Sequence, residues 1–574
     1  MGDGMARRRS LWVGAAAAAL LIGGQAGAGE VTGRIVGPSG RPVAGARVAI
    51  DDILRGAVSG PDGGYRISDV PAGDYEVVSA SFGLATARQQ VVVPATGAVE
   101  ASFAMAPNTA LAQAAKGYAP PQPERLEQKA AYLERIAAAR PADRPNVVVV
   151  LFDDLGYGDL SSYGNRLIKT PNIDALAGRG ATLSQFYSSS PVCTPSRAGL
   201  LTGRYPTRSH AANHVFFPTN SPIAGLRRAM GYANEIPRDE ILLPEVLSKA
   251  GYATGAFGKW HLGDTEGHRP TDLGFSTYFG VPYSNDMAPL PMLRDTAVDT
   301  PPEKVDQATL TERFTDEAVA FMRANAERPF FLYLPYTAPH LPHHPNPRHA
   351  GVSEGGPYGD VIEDLDANVG RIVRTLDELG LSKNTILIVT SDNGGDYGGS
   401  AGQLRGRKGE TFEGGMRVPA FVVWPGKVQP GAKSDEMAMN IDILPTVLSA
   451  VGLPLPPDRV IDGRDIAPML AGKAASPHDH LFYVTAWTGQ YEAVRDRSFK
   501  YRDRTQKPSA NPFYPAVSPL CSFADPALYR LDLDNESHDV SLKHPQAAAQ
   551  LMGELARFRD ELARNPRGWI EPAP

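Results

Sequence analysis

The feature that most restricts the fold of this chain is a set of short, almost uninterrupted apolar runs in its central part. The first, Asn146-Val-Val-Val-Val-Leu-Phe152, shows no alternation with polar residues. Such a run is typical of a strand buried on both faces of a sheet that is flanked by helices. Similar runs occupy residues 330–334, 385–390 and 420–424, and helical patterns at residues 312–324 and 360–379 separate them. The alternation predicts an α/β domain.

The two ends of the chain have different patterns. Short alternating runs between Gly, Pro and Asp clusters predict a small antiparallel β-sandwich near the N-terminus. Short strand-like runs after Met469 and an amphipathic helix pattern near the C-terminus predict a smaller antiparallel subdomain. The predicted segments are a β-sandwich at 29–106, a linker with one helical patch at 107–143, the α/β domain at 144–470 and the C-terminal subdomain at 471–574.

The first 28 residues have the pattern of an export signal. A basic run at Arg7, Arg8 and Arg9 precedes an apolar stretch at residues 11–22 and the small residues 26–28. These features predict a cleavable signal peptide at 1–28 and a periplasmic or secreted protein. A membrane anchor is the alternative, but the apolar stretch is shorter than the roughly 20 residues that a spanning helix needs. Twin-arginine export and ordinary secretion both fit the basic run.

Composition restricts partners and cross-links. With 574 residues, the chain is long enough for two or three domains. A net charge of -6 gives no basic field, so we expect no nucleic-acid partner. The only cysteines are Cys193 and Cys521, so at most one disulfide can form, and stability must come mainly from burial.

Oxygen-bearing side chains follow two of the predicted buried strands. Asp153 and Asp154 come directly after the first strand, and Asp392 and Asn393 follow the strand at 385–390. The carboxyl ends of strands in α/β sheets form a ligand crevice, where these side chains can converge. Hard oxygen ligands suit Ca²⁺ or Mg²⁺ better than zinc. Turn capping by Asp and Asn is the alternative for each pair.

One segment supplies the strongest functional signal. Cys193-Thr-Pro-Ser-Arg197, followed by Ala-Gly-Leu-Leu-Thr-Gly-Arg204, resembles the signature of the formylglycine-dependent sulfatase family, in its arylsulfatase A-like branch. A lone buried cysteine is ordinarily inert packing, but the extended match favours the family. The resemblance runs from about residue 144 to residue 540.

Further motifs occur in the family's order. The segment Gly258-Lys259-Trp260-His261-Leu262-Gly263 is similar to the second signature. His340 follows the apolar run at 330–334, and Lys408 lies in a Gly- and Arg-rich segment. A single Lys or His is usually a solvated or structural group, but four in family order and context favour a site. The N-terminal module resembles a carboxypeptidase regulatory-like domain, for which a binding role and a spacer role both stay open.

The resemblance implies a fold and a set of cofactors. The implied fold is an alkaline-phosphatase-like α/β sandwich with a large mixed central sheet flanked by helices, beside the N-terminal all-β sandwich and the smaller C-terminal antiparallel sheet. It also implies that a separate formylglycine-generating enzyme converts Cys193 to Cα-formylglycine, and that the cofactor is Ca²⁺, with Mg²⁺ possible. The implied metal ligands are Asp153, Asp154, Cys193, Asp392 and Asn393.

The resemblance also implies roles in sulfate monoester hydrolysis. Sulfate esters repel nucleophiles, so catalysis depends on positioning and on neutralising charge. Arg197, Lys259 and Lys408 neutralise the sulfonate oxygens, and Arg197 lies one helical turn from Cys193 if a helix begins near Pro195. One hydroxyl of the hydrated aldehyde attacks sulfur while His340 or Lys408 protonates the leaving alcohol. His261 then acts as the base that releases sulfate through the second hydroxyl.

The substrate is the least determined part of this interpretation. Ser284, in a segment at 279–286 that resembles the arylsulfatase A-like branch, is either a substrate contact or a plain loop residue. His343 and His344 are either ligand contacts or solvated. We expect a sulfated small molecule or saccharide, cleaved by exo action. The alternatives are a phosphonate monoester or phosphodiester hydrolase of the same superfamily and, from another class, a non-catalytic polysaccharide-binding protein.

Overall fold

A computed structural model describes residues 28–43, 46–50, 53, 55–81, 84–85, 87–106, 121–139, 144–212, 214–229, 231–486, 489–503 and 526–571. The predicted signal peptide, apart from Ala28, and Cys521 lie outside these residues. Within the described part of the chain, no helix combines the length and the apolar character needed to cross a bilayer. The described residues belong to two compact units, one N-terminal and one containing the rest.

The N-terminal unit is a β-sandwich. Its strands are β1 (Ala28–Val36), β2 (Arg47–Ile50), β3 (Arg55–Val58), β4 (Gly64–Pro71), β5 (Gly73–Ala80), β6 (Ala87–Val93), β7 (Ala98–Glu100) and β8 (Phe103–Ala104). One sheet has the order β4-β1-β7, with β8 also beside β1, and the other has the order β3-β2-β5-β6. Val31 and Ile35 of the first sheet share a core with Val48 and Val77 of the second. The predicted all-β module is confirmed.

The second unit contains a large mixed sheet. Its strands are β9 (Asn146–Phe152), β10 (Ala181–Tyr187), β11 (Ala253–Lys259), β12 (Thr277–Val281), β13 (Met292–Arg294), β14 (Ala297–Thr300), β15 (Phe330–Pro335), β16 (Thr385–Ser391), β17 (Arg417–Val423), β18 (Ala432–Ser434) and β19 (Ala438–Met439). Their order is β14-β13-β12-β11-β15-β9-β16-β17-β10-β18, with β19 beside β10. Strands β12, β11, β15, β9 and β16 run parallel, so their carboxyl ends lie at one edge of the sheet.

The central strand shows why its sequence lacks polar alternation. Val147, Val149 and Leu151 of β9 pack into the core on one face of the sheet, whereas Val148 and Val150 pack into the core on the other. Both faces of β9 are therefore covered, as expected for a parallel sheet between helical layers. The predicted α/β architecture is confirmed.

Helices cover the large sheet and complete the unit. They are α1 (Pro123–Ala138), α2 (Pro171–Arg179), α3 (Cys193–Thr202), α4 (Pro222–Ala229), α5 (Leu243–Lys249), α6 (Leu310–Ala324), α7 (Gly356–Glu378), α8 (Glu413–Met416), α9 (Ile443–Ala450), α10 (Ala467–Leu470) and α11 (Pro545–Arg564). Helix α1 lies in the segment that was predicted as a linker. Its Tyr132, Leu133 and Ile136 pack into the core, and its Lys129 pairs with Glu245, so this helix is an integral part of the second unit.

The C-terminal part adds an antiparallel sheet. Strands β20 (Leu481–Val484), β21 (Tyr491–Arg495), β22 (Phe499–Arg502) and β23 (Ala527–Arg530) pair in sequence order. Leu551, Leu555, Phe558 and Leu562 of α11 share a core with residues of this sheet. Their spacing of three and four residues is the amphipathic pattern that predicted the helix. The smaller antiparallel subdomain is confirmed.

Candidate active site

The four oxygen-bearing side chains meet because their strands are parallel neighbours. Phe152 at the end of β9 lies opposite Ser391 at the end of β16. Asp153, Asp154, Asp392 and Asn393 therefore leave the sheet side by side, and all four are buried. The amide Nδ2 of Asn393 donates to Oδ1 of Asp154 at 2.7 Å, and the backbone N–H of Asp154 donates to Oδ1 of Asp392 at 3.2 Å. Asp154 has a φ of 69°, in the left-handed region that few non-glycine residues adopt.

Helix α3 carries both Cys193 and Arg197. It begins at Cys193, two residues earlier than the assumed start near Pro195, and Arg197 follows one turn later. Both side chains are fully buried. Nε of Arg197 donates to Oδ2 of Asp392 at 2.9 Å, and Nη1 donates to the carbonyl of Lys259, also at 2.9 Å. Arg197 thus connects the helix to two strand ends.

Three other basic side chains come from separate strand ends and a loop. Lys259 is the last residue of β11, and its Nζ lies 2.6 Å from Oδ2 of Asp153 and 3.1 Å from Oγ of Ser284. Nε2 of His340 lies 3.6 Å from Oδ2 of Asp154 and 3.5 Å from Oγ of Ser284. Nζ of Lys408 lies 2.6 Å from Oδ2 of Asp154. Ser284 is therefore inside the centre, within 3.5 Å of the Lys259 ammonium and of the His340 ring.

Gly258, in the motif that carries Lys259, marks a close backbone approach. Its φ is 135°, and a Cβ at this position would lie 1.9 Å from the carbonyl oxygen of Pro335 in the neighbouring strand β15. No side chain fits this gap. The glycine therefore lets the last residues of β11 run close to the end of β15 beyond their last paired residues, Ala256 and Tyr333.

His261 is a buried neutral imidazole with one nitrogen available. Its Nε2 lies 3.0 Å from the carbonyl oxygen of Phe216, which can only accept, so Nε2 carries the proton. Its Nδ1 has no hydrogen-bond partner in the described part of the chain. Burial, together with Lys259 and Arg197, lowers the pKa of His261 well below that of an ordinary histidine. The imidazole is therefore neutral and can accept a proton at Nδ1, as a weaker base than an ordinary histidine.

The charges of the centre are strongly coupled. Burial raises the pKa of the Cys193 thiol well above its ordinary value, so the unmodified thiol stays protonated. Burial also raises the pKa of Asp392 to about 7, even with Arg197 beside it. For Asp153, burial is outweighed by Lys259 and Arg197, which hold its pKa below the ordinary value. For Lys408, burial is outweighed by Asp154, which raises the lysine pKa.

The donor atoms fit a divalent cation. Ligand atoms of Asp154, Cys193 and His340 lie within 4.8 Å of one another, and so do those of Asp153, Cys193 and Asp392. Oδ1 of Asn393 is buried and accepts no hydrogen bond from any described residue, and the only contact of Oδ1 of Asp153 among these residues is an ion pair with Nη2 of Arg197 at 3.5 Å. Buried oxygens with free lone pairs at a cluster of carboxylates are the ligands that Ca²⁺ and Mg²⁺ prefer. His340, predicted only as a proton donor, also lies within ligand distance.

Several residues that position the centre were not predicted from the sequence. Thr194 accepts the N–H of Phe216 at 3.1 Å and donates to the backbone carbonyl of His261 at 3.0 Å, so it links the backbone of His261 to the residue whose carbonyl contacts the imidazole. Nδ2 of Asn440 donates to Oγ of Ser196 at 2.8 Å, and that Oγ donates to the backbone carbonyl of Asp392. These contacts join residues far apart in the chain.

A buried carboxylate holds the loop that follows Asp153 and Asp154. Asp159 accepts hydrogen bonds from the hydroxyl of Tyr358 at 2.5 Å and from the backbone N–H groups of Gly156 at 2.6 Å and Ser400 at 2.7 Å. Burial raises its pKa to about 7. His343, for which a ligand contact and a solvated position both stayed open, packs edge-on against Tyr358 with ring centroids 5.1 Å apart.

Three family models match the chain. The sulfatase model covers residues 145–453, the carboxypeptidase regulatory-like domain covers residues 30–106, and the N-sulphoglucosamine sulphohydrolase C-terminal model covers residues 407–507. The first match spans the strands, the helix and the loop that build the centre. The second coincides with the β-sandwich.

Curated relatives are similar over most of their length. Steryl-sulfatase from Rattus norvegicus is 33% identical over 542 residues, which cover 77% of this chain and 92% of the relative. N-acetylgalactosamine-6-sulfatase from the same organism is 41% identical over 387 residues, covering 62% and 72%. Arylsulfatase A from Bos taurus is 38% identical over 437 residues, covering 70% and 83%.

Solved structures share the fold. A sulfatase from a Pseudoalteromonas species superposes with a TM-score of 0.65 at 26% identity, covering 78% of this chain and 96% of that one. The phosphonate monoester hydrolase of Agrobacterium radiobacter superposes with a TM-score of 0.50 at 19% identity, covering 75% and 100%, and so shows the fold alone. The family model, the relatives and the assembled centre agree: the chain is an enzyme that belongs to the sulfatase family and hydrolyses sulfate esters.

Proposed function

We propose that the chain hydrolyses sulfate monoesters of saccharides through a Cα-formylglycine made from Cys193 by a separate generating enzyme, and that Ca²⁺ or Mg²⁺ assists. The observation that best supports this proposal is the position of Cys193. Its Sγ lies within 4.8 Å of ligand atoms from both groups of acidic side chains. An oxygen nucleophile at this position is adjacent to the acidic side chains that would hold the cation and to His340.

The charge of the centre suits an anion once a divalent cation is bound. Three carboxylates, those of Asp153, Asp154 and Asp392, face the three cations of Arg197, Lys259 and Lys408. Because burial raises the pKa of Asp392 to about 7, the carboxylates at neutral pH carry no more charge than the three cations, so a divalent ion leaves a net positive site. When bound, the ion supplies charge that polarises a sulfonate oxygen and favours an ionised hydroxyl at position 193.

The remaining roles, which are sulfonate binding and proton transfer, belong to side chains of the protein. Arg197, Lys259 and Ser284 line the position of the sulfonate oxygens. His340 or Lys408 donates the proton that the leaving alcohol needs. His261, neutral and with an available Nδ1, accepts the proton whose loss releases sulfate. Protein groups of these types act mainly by fixed electrostatic stabilisation, which is the largest contribution in reactions of this class.

The substrate class rests on the relatives and on burial. The 41% identity to N-acetylgalactosamine-6-sulfatase over 387 residues supports a sulfated saccharide. Cys193 and Arg197 are 2% and 0% exposed, so the reacting group must enter a recess. A terminal sugar enters a recess more readily than the interior of a polymer, which supports exo action. We place the enzyme in the periplasm or outside the cell.

Rates on two substrate classes test the proposal. Wild-type protein should release sulfate from 4-nitrophenyl sulfate and should act far more slowly on an aryl phosphodiester, whereas Cys193→Ala should be inactive and folded. Chelation with EDTA should abolish activity, and added Ca²⁺ should restore it. A large phosphodiester preference would favour the phosphonate monoester hydrolase alternative. Binding of polysaccharide without any turnover would favour the non-catalytic alternative.

A further inference from the structure

Two loops carry the side chains that we propose as ligands of the cation. The first loop (residues 153–159) follows β9, and the second loop (residues 392–402) follows β16. The two strands are paired as far as Phe152 and Ser391, the residues directly before the loops. Three of the four proposed oxygen ligands are carboxylates, and like charges at short distance repel one another. Contacts that join the loops beyond the sheet therefore favour the arrangement that binds the cation.

Asp159, the last residue of the first loop, joins it to the second loop. Its side chain is fully buried. Oδ2 accepts the backbone N–H of Gly156 at 2.6 Å, and Oδ1 accepts the backbone N–H of Ser400 in the second loop at 2.7 Å. In the other direction, the backbone N–H of Gly158 donates to the carbonyl of Ser400 at 2.7 Å. A buried polar group whose hydrogen bonds are satisfied makes its surroundings rigid, so Asp159 fixes the distance between the two loops.

Tyr358 adds a third segment to this connection. It lies on α7, and its hydroxyl donates to Oδ2 of Asp159 at 2.5 Å. The loops also pack directly against each other, because a Cβ on Gly395 of the second loop would lie 2.9 Å from Cα of Gly156 in the first loop, closer than a side chain allows. The pair of Asp159 and Tyr358, which we call the clasp, therefore holds two closely packed loops against α7.

Asp159 reaches the cation site through the backbone. It belongs to neither group of side chains whose ligand atoms lie within 4.8 Å of one another. The N–H of Leu155 donates to Oγ of Ser391 at 2.9 Å, and the next N–H, that of Gly156, donates to Asp159. These bonds fix the two residues directly after Asp154. The left-handed backbone of Asp154 is a conformation that few non-glycine residues adopt, so it depends on the contacts around it.

We infer that the clasp sets the affinity of the site for its divalent cation without contacting the ion. The inference rests on the cation of the proposed function and deepens it, because it makes Asp159 and Tyr358 positioning residues of the cation site. Residues that orient the ligands of a metal site typically contribute roughly 10–100-fold to its affinity, so we expect Ca²⁺ to bind at least about tenfold more weakly when the clasp is broken. The reaction at a filled site should be largely kept, because neither side chain has a role in the steps proposed above.

Calorimetric titration with Ca²⁺ tests the inference. The full-length protein would be freed of metal with EDTA, dialysed and titrated with calcium chloride, at a pH above the value of about 7 to which burial raises the pKa of Asp159. In Asp159→Asn the amide places an N–H donor against a backbone N–H donor, so the Kd for Ca²⁺ should rise at least about tenfold. Tyr358→Phe, which removes only the hydroxyl, should raise the Kd as well. At saturating Ca²⁺, kcat of both variants for 4-nitrophenyl sulfate should return to within a factor of a few of wild type.

Asp366→Asn is the matched control. Asp366 is a buried carboxylate on the same helix, α7, and it accepts the backbone N–H groups of Ile173 at 2.8 Å and of Asn172 at 3.2 Å. It therefore holds α2 instead of the two loops. Its amide variant should lower the Tm of the metal-free protein but leave the Kd for Ca²⁺ unchanged. A purely structural role of Asp159 would make the two variants alike.

The possible outcomes are distinct. An unchanged Kd for Asp159→Asn, or an equal rise in Asp366→Asn, would overturn the inference while leaving the proposed function intact. A kcat that stays low at saturating Ca²⁺ would also overturn it, because the clasp would then act on the reaction and not on affinity. If Asp159→Asn does not fold, the Kd of Tyr358→Phe decides by the same comparison. Active wild type that binds neither Ca²⁺ nor Mg²⁺ would contradict the cation of the proposed function, and the inference with it.

Discussion

Arg197 contacts residues at three strand ends of the centre. It lies on α3, one turn after Cys193, donates to the carboxylate of Asp392 and donates to the backbone of Lys259. Its Nη2 also lies 3.5 Å from Oδ1 of Asp153. The planar guanidinium makes these contacts at the same time, and an ammonium group cannot, because it is a compact point charge on a flexible stem.

The substitution Arg197→Lys tests this dependence. We expect kcat for 4-nitrophenyl sulfate to fall about 100-fold or more, the loss typical of removing one group that stabilises developing charge. Steady-state kinetics with metal-saturated protein would measure it. Arg179→Lys is the matched control, since Arg179 forms an exposed ion pair with Asp377 and should keep wild-type activity. A kcat within a factor of a few of wild type for Arg197→Lys would contradict the assigned role.

The sequence alone predicted the charged residues of the centre, but it did not predict the contacts that hold them in place. Asp153 and Asp392 were predictable because each directly follows a strand with an unmistakable apolar run. The pairs Thr194 with His261 and Asn440 with Ser196 were not, because each joins residues that are far apart and of types that usually face solvent. Only the tertiary structure brings such partners together.

At the scale of elements, the C-terminal sheet holds the loop that carries Lys408. Lys500 on β22 is buried, and its Nζ lies 3.0 Å from Oε1 of Glu413 and 2.8 Å from Oε1 of Glu536. Oε2 of Glu536 accepts the backbone N–H of Glu413 at 2.6 Å, and the carbonyl of Glu536 accepts from Arg405 at 2.5 Å. Both ends of the loop are therefore tied to the C-terminal subdomain.

Removing the buried lysine should loosen that loop. In Lys500→Met, the carboxylates of Glu413 and Glu536 lose their shared cation, and breaking a buried pair in this way costs roughly 3–5 kcal/mol. We expect a lower free energy of unfolding in urea and a lower kcat, because Lys408 is held less firmly. Lys473→Met, at an exposed lysine, is the control. Equal urea midpoints for the two variants would show that the cluster contributes no stability.

The strands and helices differ in how well the sequence predicts them. The predicted strands at 330–334 and 385–390 end within a residue of β15 and β16, because continuous apolar runs mark them. Strand β11, with the sequence Ala-Thr-Gly-Ala-Phe-Gly-Lys, went unpredicted. Its small residues allow close pairing with β15 but provide no apolar signal. The sequence also did not predict that α1 packs into the core of the second unit, because an amphipathic pattern does not show which core a helix joins.

At the scale of the whole molecule, a buried ion cluster joins distant parts of the second unit. Glu240 pairs with Arg204 at 2.7 Å and with Arg567 at 2.9 Å, and Arg459 lies 3.9 Å away. The guanidinium groups of all three arginines lie within 5.5 Å of the centre of the Trp569 ring. The cluster connects the end of the cysteine-bearing segment to the C-terminal tail.

This cluster should make stability sensitive to acid. Burial raises the pKa of Glu240, but Arg204, Arg567 and Arg459 outweigh it and lower the pKa from 4.5 to about 2. Between these values the unfolded chain binds a proton that the folded protein does not, so stability rises with pH there. The contribution is present above pH 4.5 and is lost as the pH falls toward 2.

The variant Glu240→Gln should remove that part of the pH dependence. We expect its Tm to be lower than that of wild type at pH 7 and the gap to narrow as the pH falls below 4.5. Calorimetry between pH 7 and pH 3 would measure both curves. Glu378→Gln, at an exposed glutamate, is the control and should run parallel to wild type. A constant gap between the wild-type and Glu240→Gln curves would contradict the assigned pKa.

The proposed mechanism depends most on the chemical state of residue 193, and the mass of one peptide measures that state. Trypsin should release residues 180–197 of active protein as a single peptide, because cleavage follows Arg179 and Arg197. Conversion of the thiol to an aldehyde should lower its mass by roughly 18 Da, and the fraction converted should track specific activity across preparations. Fully active protein whose peptide carries an unmodified thiol would contradict the proposed nucleophile.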